Sequence, residues 1–181
     1  MWQGMSETEE KEKKAKVDKY KVIFDFYKSE CDSLRNEYYK VEDKASKYLT
    51  SLSVLSGVFL LLFKGAVEDI ECNLLDLFLI FLLIMAMLSF ASSWRFIFMA
   101  MKPVKLKSIP FNNKNIEYFD GNDLDIFYYS MTKQYVEVIE SYKSAIGYKT
   151  SFLVKAFKEV KCSGLILLVL LSFILTVKVI P

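Results

Sequence analysis

From Val17 onward apolar residues recur in alternating steps of three and four: Val17, Tyr20, Phe24, Tyr27, Cys31, Leu34, Tyr38, Val41, Ala45 and Tyr48. That spacing lines side chains along one stripe of a helix, and a stripe kept for more than four heptads predicts a coiled-coil-like seam. The register continues into Leu52, Leu55, Phe59 and Leu62 with no Pro or Gly at the transition. One helix is therefore expected over 17–63, amphipathic first and apolar on all sides later. A second stripe runs through Leu124, Phe127, Met131, Tyr135, Val138, Tyr142, Ala145, Tyr148, Phe152 and Ala156, with Lys and Glu between. Asp120, Gly121, Asn122 and Asp123 supply turn and N-cap chemistry ahead of it. It predicts a helix over 123–163 that also runs into an apolar block.

Crossing a hydrocarbon layer of about 30 Å takes about 20 mostly apolar helical residues. Three blocks qualify: the end of 17–63, the stretch 74–101, and 164–181, which reads GLILLVLLSFILTVKVI and then Pro181. A buried core helix is the alternative for the last of these. Lys and Arg in short flanks set orientation, because they stay on the cytoplasmic side. Lys40, Lys44 and Lys47 precede the first block; Arg95, Lys102, Lys105 and Lys107 close the second; Lys149, Lys155, Lys158 and Lys161 precede the third. The connection 64–73 opposes Lys64 with Glu68, Asp69 and Glu71, which suits an outer loop. The expected topology has the N-terminus in the cytoplasm and the C-terminus outside an inner or plasma membrane.

The predicted fold class is thus an all-α integral membrane protein. Three transmembrane helices are expected, two of them continuous with long cytoplasmic helices that pack in parallel as a stalk. Each stalk helix is roughly 58 Å long at about 1.5 Å per residue. The segment 102–122, with Pro103, Pro110, Asn112, Asn113 and Asn115, is expected to return as an irregular strap. Residues 1–16 are expected to be disordered, with Met1–Met5 resembling an expression scar before a charged tract. Apolar residues off the main seam, such as Ile23, Phe26, Tyr39 and Leu49, call for association with further copies, so a homo-oligomeric bundle is expected.

Composition removes several function classes. The chain has no His, and its three Cys form no C-x-x-C pair, so no catalytic base, cofactor site or metal site is expected and an enzyme is the weakest reading. Cys72, in the outer loop, is read as a free thiol or a cross-axis disulfide partner. A net charge of +2, with Lys runs interleaved with acids, gives no case for direct nucleic-acid binding.

Candidate chemistry lies in polar side chains within apolar blocks. Ser46, Thr50, Ser53 and Gly57 share one stripe of the first span with Ser56 beside it, while Ala86, Ser89 and Ser93 form a stripe on the second. Small-residue stripes let helices approach closely. Alternatively, the first lines a water-filled path in an oligomer, where hydroxyls replace part of an ion's hydration. Glu68, Asp69, Glu71 and Asp76 would then ring the outer mouth and favour cations; an ordinary solvated loop is the alternative. Tyr20, Phe24, Tyr27, Leu34, Tyr38, Val41, Tyr142 and Phe152 are assigned to the stalk and oligomer seam.

The string Asp43-Lys44-Ala45, followed by Leu49 and the small-residue start of the first span, resembles the opening of the three-helix membrane domain of Pycsar-type bacterial antiphage effectors. The approach to the last span, Tyr135 through Lys149, Ala156 and Phe157, is similar to the end of that domain. Two-span defence effectors of the SLATT group share the cytosolic helix feeding the first span. The resemblance implies a pore that permeabilises or depolarises the host membrane during abortive infection, triggered by a nucleotide or protein signal. Here no alternating strand pattern supplies a cyclic-nucleotide-sensing domain. A pore accessory protein of type VI-B CRISPR systems is another candidate, although its nuclease-like motif needs a His. A non-conducting anchor that recruits a soluble partner through the stalk is the reading from a different class.

Overall fold

The computed structural model describes residues 7–68, 74–109 and 113–179, and among them every regular element is a helix. The helices are α1 (Glu7–Glu68), α2 (Leu74–Met101), α3 (Asn113–Gly121) and α4 (Leu124–Val179). α1 passes Tyr48 without a break, and α4 passes Gly147 and Gly164 without one.

Burial explains the continuity. On α1, Cys31, Tyr38, Ala45, Leu52 and Phe59 stand seven residues apart and all are buried, joined by Leu34 and Val41. On α4 the same step links Tyr142, Lys149, Ala156, Ser163 and Leu170. A seven-residue step keeps one stripe facing a neighbouring helix as both wind. α2 ends where Lys102 meets Pro103, since Pro disfavours the helical conformation in the residue before it.

The chain divides into two compact units. The first comprises Met1–Tyr39 and Val104–Ile146. In it, α1 residues of rising number meet α4 residues of rising number, so the two helices run parallel. Tyr20 stacks edge-on with Tyr129 at 5.6 Å between centroids, and Phe24 meets Tyr128 and Tyr135 at 5.4 and 5.6 Å. Further along, Lys143 pairs with Glu30 at 3.6 Å and Tyr38 packs on Tyr142 at 5.9 Å.

Two expectations for this unit are corrected. The charged tract within 1–16 is helical from Glu7 onward, so the helix starts before Val17. Its charges follow the helix surface, and Lys13 reaches Asp123 at 3.0 Å. The strap over 102–122 is also not irregular throughout, because α3 lies inside it. Phe119 of α3 packs edge-on against Phe127 at 4.8 Å, and the Asn122 amide donates to the Tyr118 carbonyl at 2.9 Å, closing the helix end. The return path is short enough to allow this. Lys107 already stands beside Glu137, leaving only about 21 Å along α4 to Asp123.

The second unit comprises Lys40–Pro103 and Gly147–Pro181. Its core brings together Leu52 and Phe59 of α1, Leu79, Leu83, Ala86, Phe90 and Ile97 of α2, and Ala156 and Leu170 of α4. Glu42 meets Lys149 at 2.8 Å and Tyr48 meets Phe157 at 6.2 Å, so here too α1 and α4 are parallel, and Phe96 on Phe152 at 6.4 Å sets α2 beside them. α1 and α2 each contain a stretch long and apolar enough to cross a membrane. Only 12% of that stretch in α1 and 28% in α2 is buried within the chain, whereas a soluble core helix would be mostly buried. In α4, Leu165 and Leu168 are likewise exposed, at 66% and 67%.

Candidate functional site

The polar residues of the second unit separate into two sets. Ser46, Thr50, Ser53 and Gly57 lie on the open side of α1, all exposed. Thr50 donates to the Ser46 carbonyl at 3.2 Å and Ser53 to the Leu49 carbonyl at 2.9 Å, so each hydroxyl is satisfied within the helix and keeps acceptor capacity outward. A Cβ added at Gly57 would meet nothing within 4 Å. Ser56 belongs elsewhere. It is half-buried, donates to the Leu52 carbonyl at 2.8 Å and accepts from the Trp94 indole N–H at 3.4 Å. It is thus part of the α1–α2 contact and not of the open stripe.

The α2 stripe is a helix–helix contact. Ala86 and Ser93 are fully buried, and Ser89 nearly so. Ser89 donates to the Glu159 carbonyl at 3.1 Å, Ser163 to the Ser89 hydroxyl at 2.7 Å, and Ser93 to the Ser89 carbonyl at 3.0 Å. Small side chains let α2 and α4 approach, and the hydroxyls then bond across the gap. Ser163 was missed in the sequence; its signal is the seven-residue step from Ala156.

The acidic candidates fall near the α1–α2 connection. Asp76 is half-buried in the first turn of α2, and Glu68 is the last helical residue of α1. Asp69, Glu71 and Cys72 lie outside the described residues. The seam candidates Leu34, Tyr38, Val41 and Tyr142 are buried, and Tyr20, Phe24, Tyr27 and Phe152 are half-buried.

The sequence places Lys149 in the basic flank of the third apolar block, but its side chain is 0% exposed and its ammonium meets a Glu42 oxygen at 2.8 Å. The sequence signal was its place in the step Tyr142, Lys149, Ala156, where a cation sits in a core register. A buried ammonium needs such a partner, because isolated it would lose its hydration uncompensated.

Titration behaviour in the first unit follows burial. Desolvation raises the Cys31 thiol above its ordinary value, opposed by nearby Arg35 and assisted by Asp32. Desolvation likewise raises the Tyr135 phenol, with Cys31 and Asp32 adding to it. A hydrogen bond with Tyr142 pushes the Arg35 guanidinium further up. The same unit holds an open groove of about 730 Å³, lined by Lys105, Lys107, Ile109, Gln134, Glu137 and Val138 among others. The Gln134 Oε1 is buried there with no hydrogen-bond partner among the described residues.

No family model, characterised protein or solved structure matches this chain.

Among the described residues no cluster of His, Cys, Asp or Glu could hold a metal ion. What the arrangement supplies is mechanical and polar: an unbroken helix, a sealed contact between α2 and α4, and an open hydroxyl stripe.

Proposed function

We propose that the chain spans a bacterial inner membrane with three helices and assembles as a homo-oligomer whose α1 segments enclose an ion-conducting path. In this reading the helical pair of the first unit is the cytoplasmic stalk, α1 and α4 each carry it into the bilayer, and the C-terminus is outside. The observation that carries the reading is the exposed stripe of Ser46, Thr50, Ser53 and Gly57 on an α1 that runs unbroken from its charged half into its apolar half.

Charge spacing supports the three spans. Positions 48–63, 77–94 and 162–177 contain no Asp, Glu, Lys or Arg. These stretches make about 24–27 Å of helix, which snorkelling end residues extend to a hydrocarbon thickness of about 30 Å. The exposed apolar side chains of these stretches need lipid or other copies as neighbours, since no lipid-exposed backbone or polar loop interrupts them. A rotation or tilt of the stalk helices would then reach the stripe directly.

The biological role we propose, permeabilisation or depolarisation of the host membrane in antiphage defence, rests on the resemblance of Asp43-Lys44-Ala45 and of Tyr135–Phe157 to Pycsar-type effectors. A defence signal, nucleotide or protein, would act on the stalk. The test has two arms: membrane potential during overexpression, and conductance of the purified chain in planar bilayers. Depolarisation and a conductance lowered by Ser53→Leu are expected; an intact potential with no conductance would overturn the pore.

A second reading has its own observation. Val22 and Phe26 stand one turn apart on α1 of the first unit, 68% and 66% exposed. Such a patch suits a soluble partner held by a non-conducting anchor, and co-purification of that partner with a silent phenotype would favour this reading.

A further inference from the structure

Arg95 interrupts the apolar run of α2 on its outward face. Leu88, Phe98 and Met99, one or two turns away on that side, are exposed at 61%, 53% and 36%, whereas Ser89, Ser93, Ile97 and Ala100 face inward. The guanidinium is exposed and meets no carboxylate among the described residues. Helix α4 brings cations to the same level. Ser89 bonds to Glu159 and Phe96 packs on Phe152, so the part of α2 that holds Arg95 lies beside the turns of α4 that hold Lys155 and Lys158. On α1 the Trp94 indole reaches Ser56, so Lys47 and Lys44 lie about two to three turns further along that helix. Of the acids nearby, Glu42 is taken by Lys149, Asp43 by Lys47 at 2.6 Å, and the Glu159 carboxylate points to Ser89 at 3.4 Å. Lys155 and Lys161 fold back over the Phe152 and Phe157 rings, at 5.4 and 4.9 Å, and are held at the helix surface. Arg95, Lys155, Lys158 and Lys161 thus form an exposed collar without carboxylate partners among the described residues. At the opposite end of the spans the charges are mixed, with Lys64 on α1 and Asp76 on α2.

We infer that this collar, centred on Arg95, binds the headgroups of phospholipids with net negative charge. The inference rests on the membrane-spanning reading. A planar guanidinium matches the two free oxygens of a phosphodiester, and the indole of neighbouring Trp94 sits at home at the boundary between acyl chains and headgroups. The lysines add point charges around it. A zwitterionic lipid presents the same phosphodiester but carries a cation of its own, which the collar repels. An anionic headgroup therefore fits and a zwitterionic one does not. Each basic side chain at an anionic surface contributes about 1 kcal/mol, so removing one should weaken retention about fivefold.

Native mass spectrometry of the full chain in detergent, titrated with phosphatidylglycerol or phosphatidylcholine, tests this. The expected result is preferential retention of phosphatidylglycerol, weakened about fivefold by Arg95→Gln and further by Lys155→Gln with Lys158→Gln and Lys161→Gln. Inorganic phosphate at the same concentration should not displace the lipid. Equal retention of both lipids, displacement by phosphate, or unchanged retention in the variants would overturn the inference. If Arg95→Gln lowers the helical circular dichroism signal, the exposed triple lysine variant decides alone. Carbonate washing of membranes separates the two levels. Release of the chain into the supernatant sinks the membrane reading itself, whereas a chain that stays in the pellet yet shows no lipid preference sinks only the collar.

Discussion

At the residue scale the pair Lys149–Glu42 holds the one buried charged side chain among the described residues. Lys149 is fully buried, while Glu42 keeps 40% of its side chain exposed, so water still screens one end of the pair. Glu42→Gln leaves a buried ammonium with a weaker partner and should cost about 1–3 kcal/mol, less than for a fully buried pair. Lys149→Met, which fills the same space without charge, should cost less than Glu42→Gln. Thermal unfolding of the two variants side by side checks this, and an equal or reversed order would rule out a desolvated cation as the cause. Cys31 and Tyr135 give a second expectation. Both are neutral when protonated, and burial raises both pKa values in the folded state. Their contribution to stability is therefore complete below the ordinary thiol and phenol range, about 8.5 and 10, and is lost as pH climbs through the raised values. The melting temperature should fall on the alkaline side, and Cys31→Ala should flatten the first part of that fall. A wild-type profile that stays level from pH 8 to 10.5 contradicts it.

At the scale of elements the question is whether α1 works as one rod. Ser51 is exposed near the entry to the apolar stretch and its hydroxyl donates only to the Lys47 carbonyl at 3.0 Å. Ser51→Pro removes one backbone hydrogen bond, pushes against the same carbonyl and kinks the helix, at about 3 kcal/mol or more. Ser51→Ala loses the same side-chain bond and leaves the rod straight. If stalk and span are coupled through α1, the proline variant should insert normally but lose its leak, while the alanine variant leaks as the wild type does. Leak retained in the proline variant would mean that the stalk acts by another route. The sequence made α1 and α4 legible through apolar stripes that recur in steps of three and four, and α2 through an apolar run long enough to cross a membrane. It hid the start of α1, since 7–16 has Ala15 as its only apolar residue and is helical by continuation from the seam. It hid α3 because that helix depends on Phe119 meeting Phe127, a contact with no periodicity in the chain. The candidate site was legible in part. Thr50 and Ser53 stay on the open face as the spacing implies, but Ser56 turns to Trp94, and Lys149 looked like a flank cation until its register was seen to be a core one.

At the scale of the whole molecule the unmet demand is for neighbours. Leu61 and Leu77 are 74% and 67% exposed, and the hydroxyl stripe of α1 is likewise exposed, with no partner surface among the described residues. Lipid satisfies the leucines but not a row of hydroxyl acceptors, which favours placing the stripe against water or other copies. Substituted-cysteine labelling distinguishes these environments, because methanethiosulfonate reagents react with the thiolate, which forms in water and not in hydrocarbon. In a chain whose own cysteines are replaced by serine, Thr50→Cys and Ser53→Cys should label from the aqueous phase and block the leak. Leu55→Cys, 39% exposed but about 140–160° round α1 from Thr50 and Ser53, should face lipid and stay unlabelled. Equal labelling at 53 and 55 would mean that the two faces share one environment and that α1 lines no path. Labelling at neither, in a chain that single-particle counting in nanodiscs finds monomeric, would leave the stripe in lipid and the assembly without its central helix.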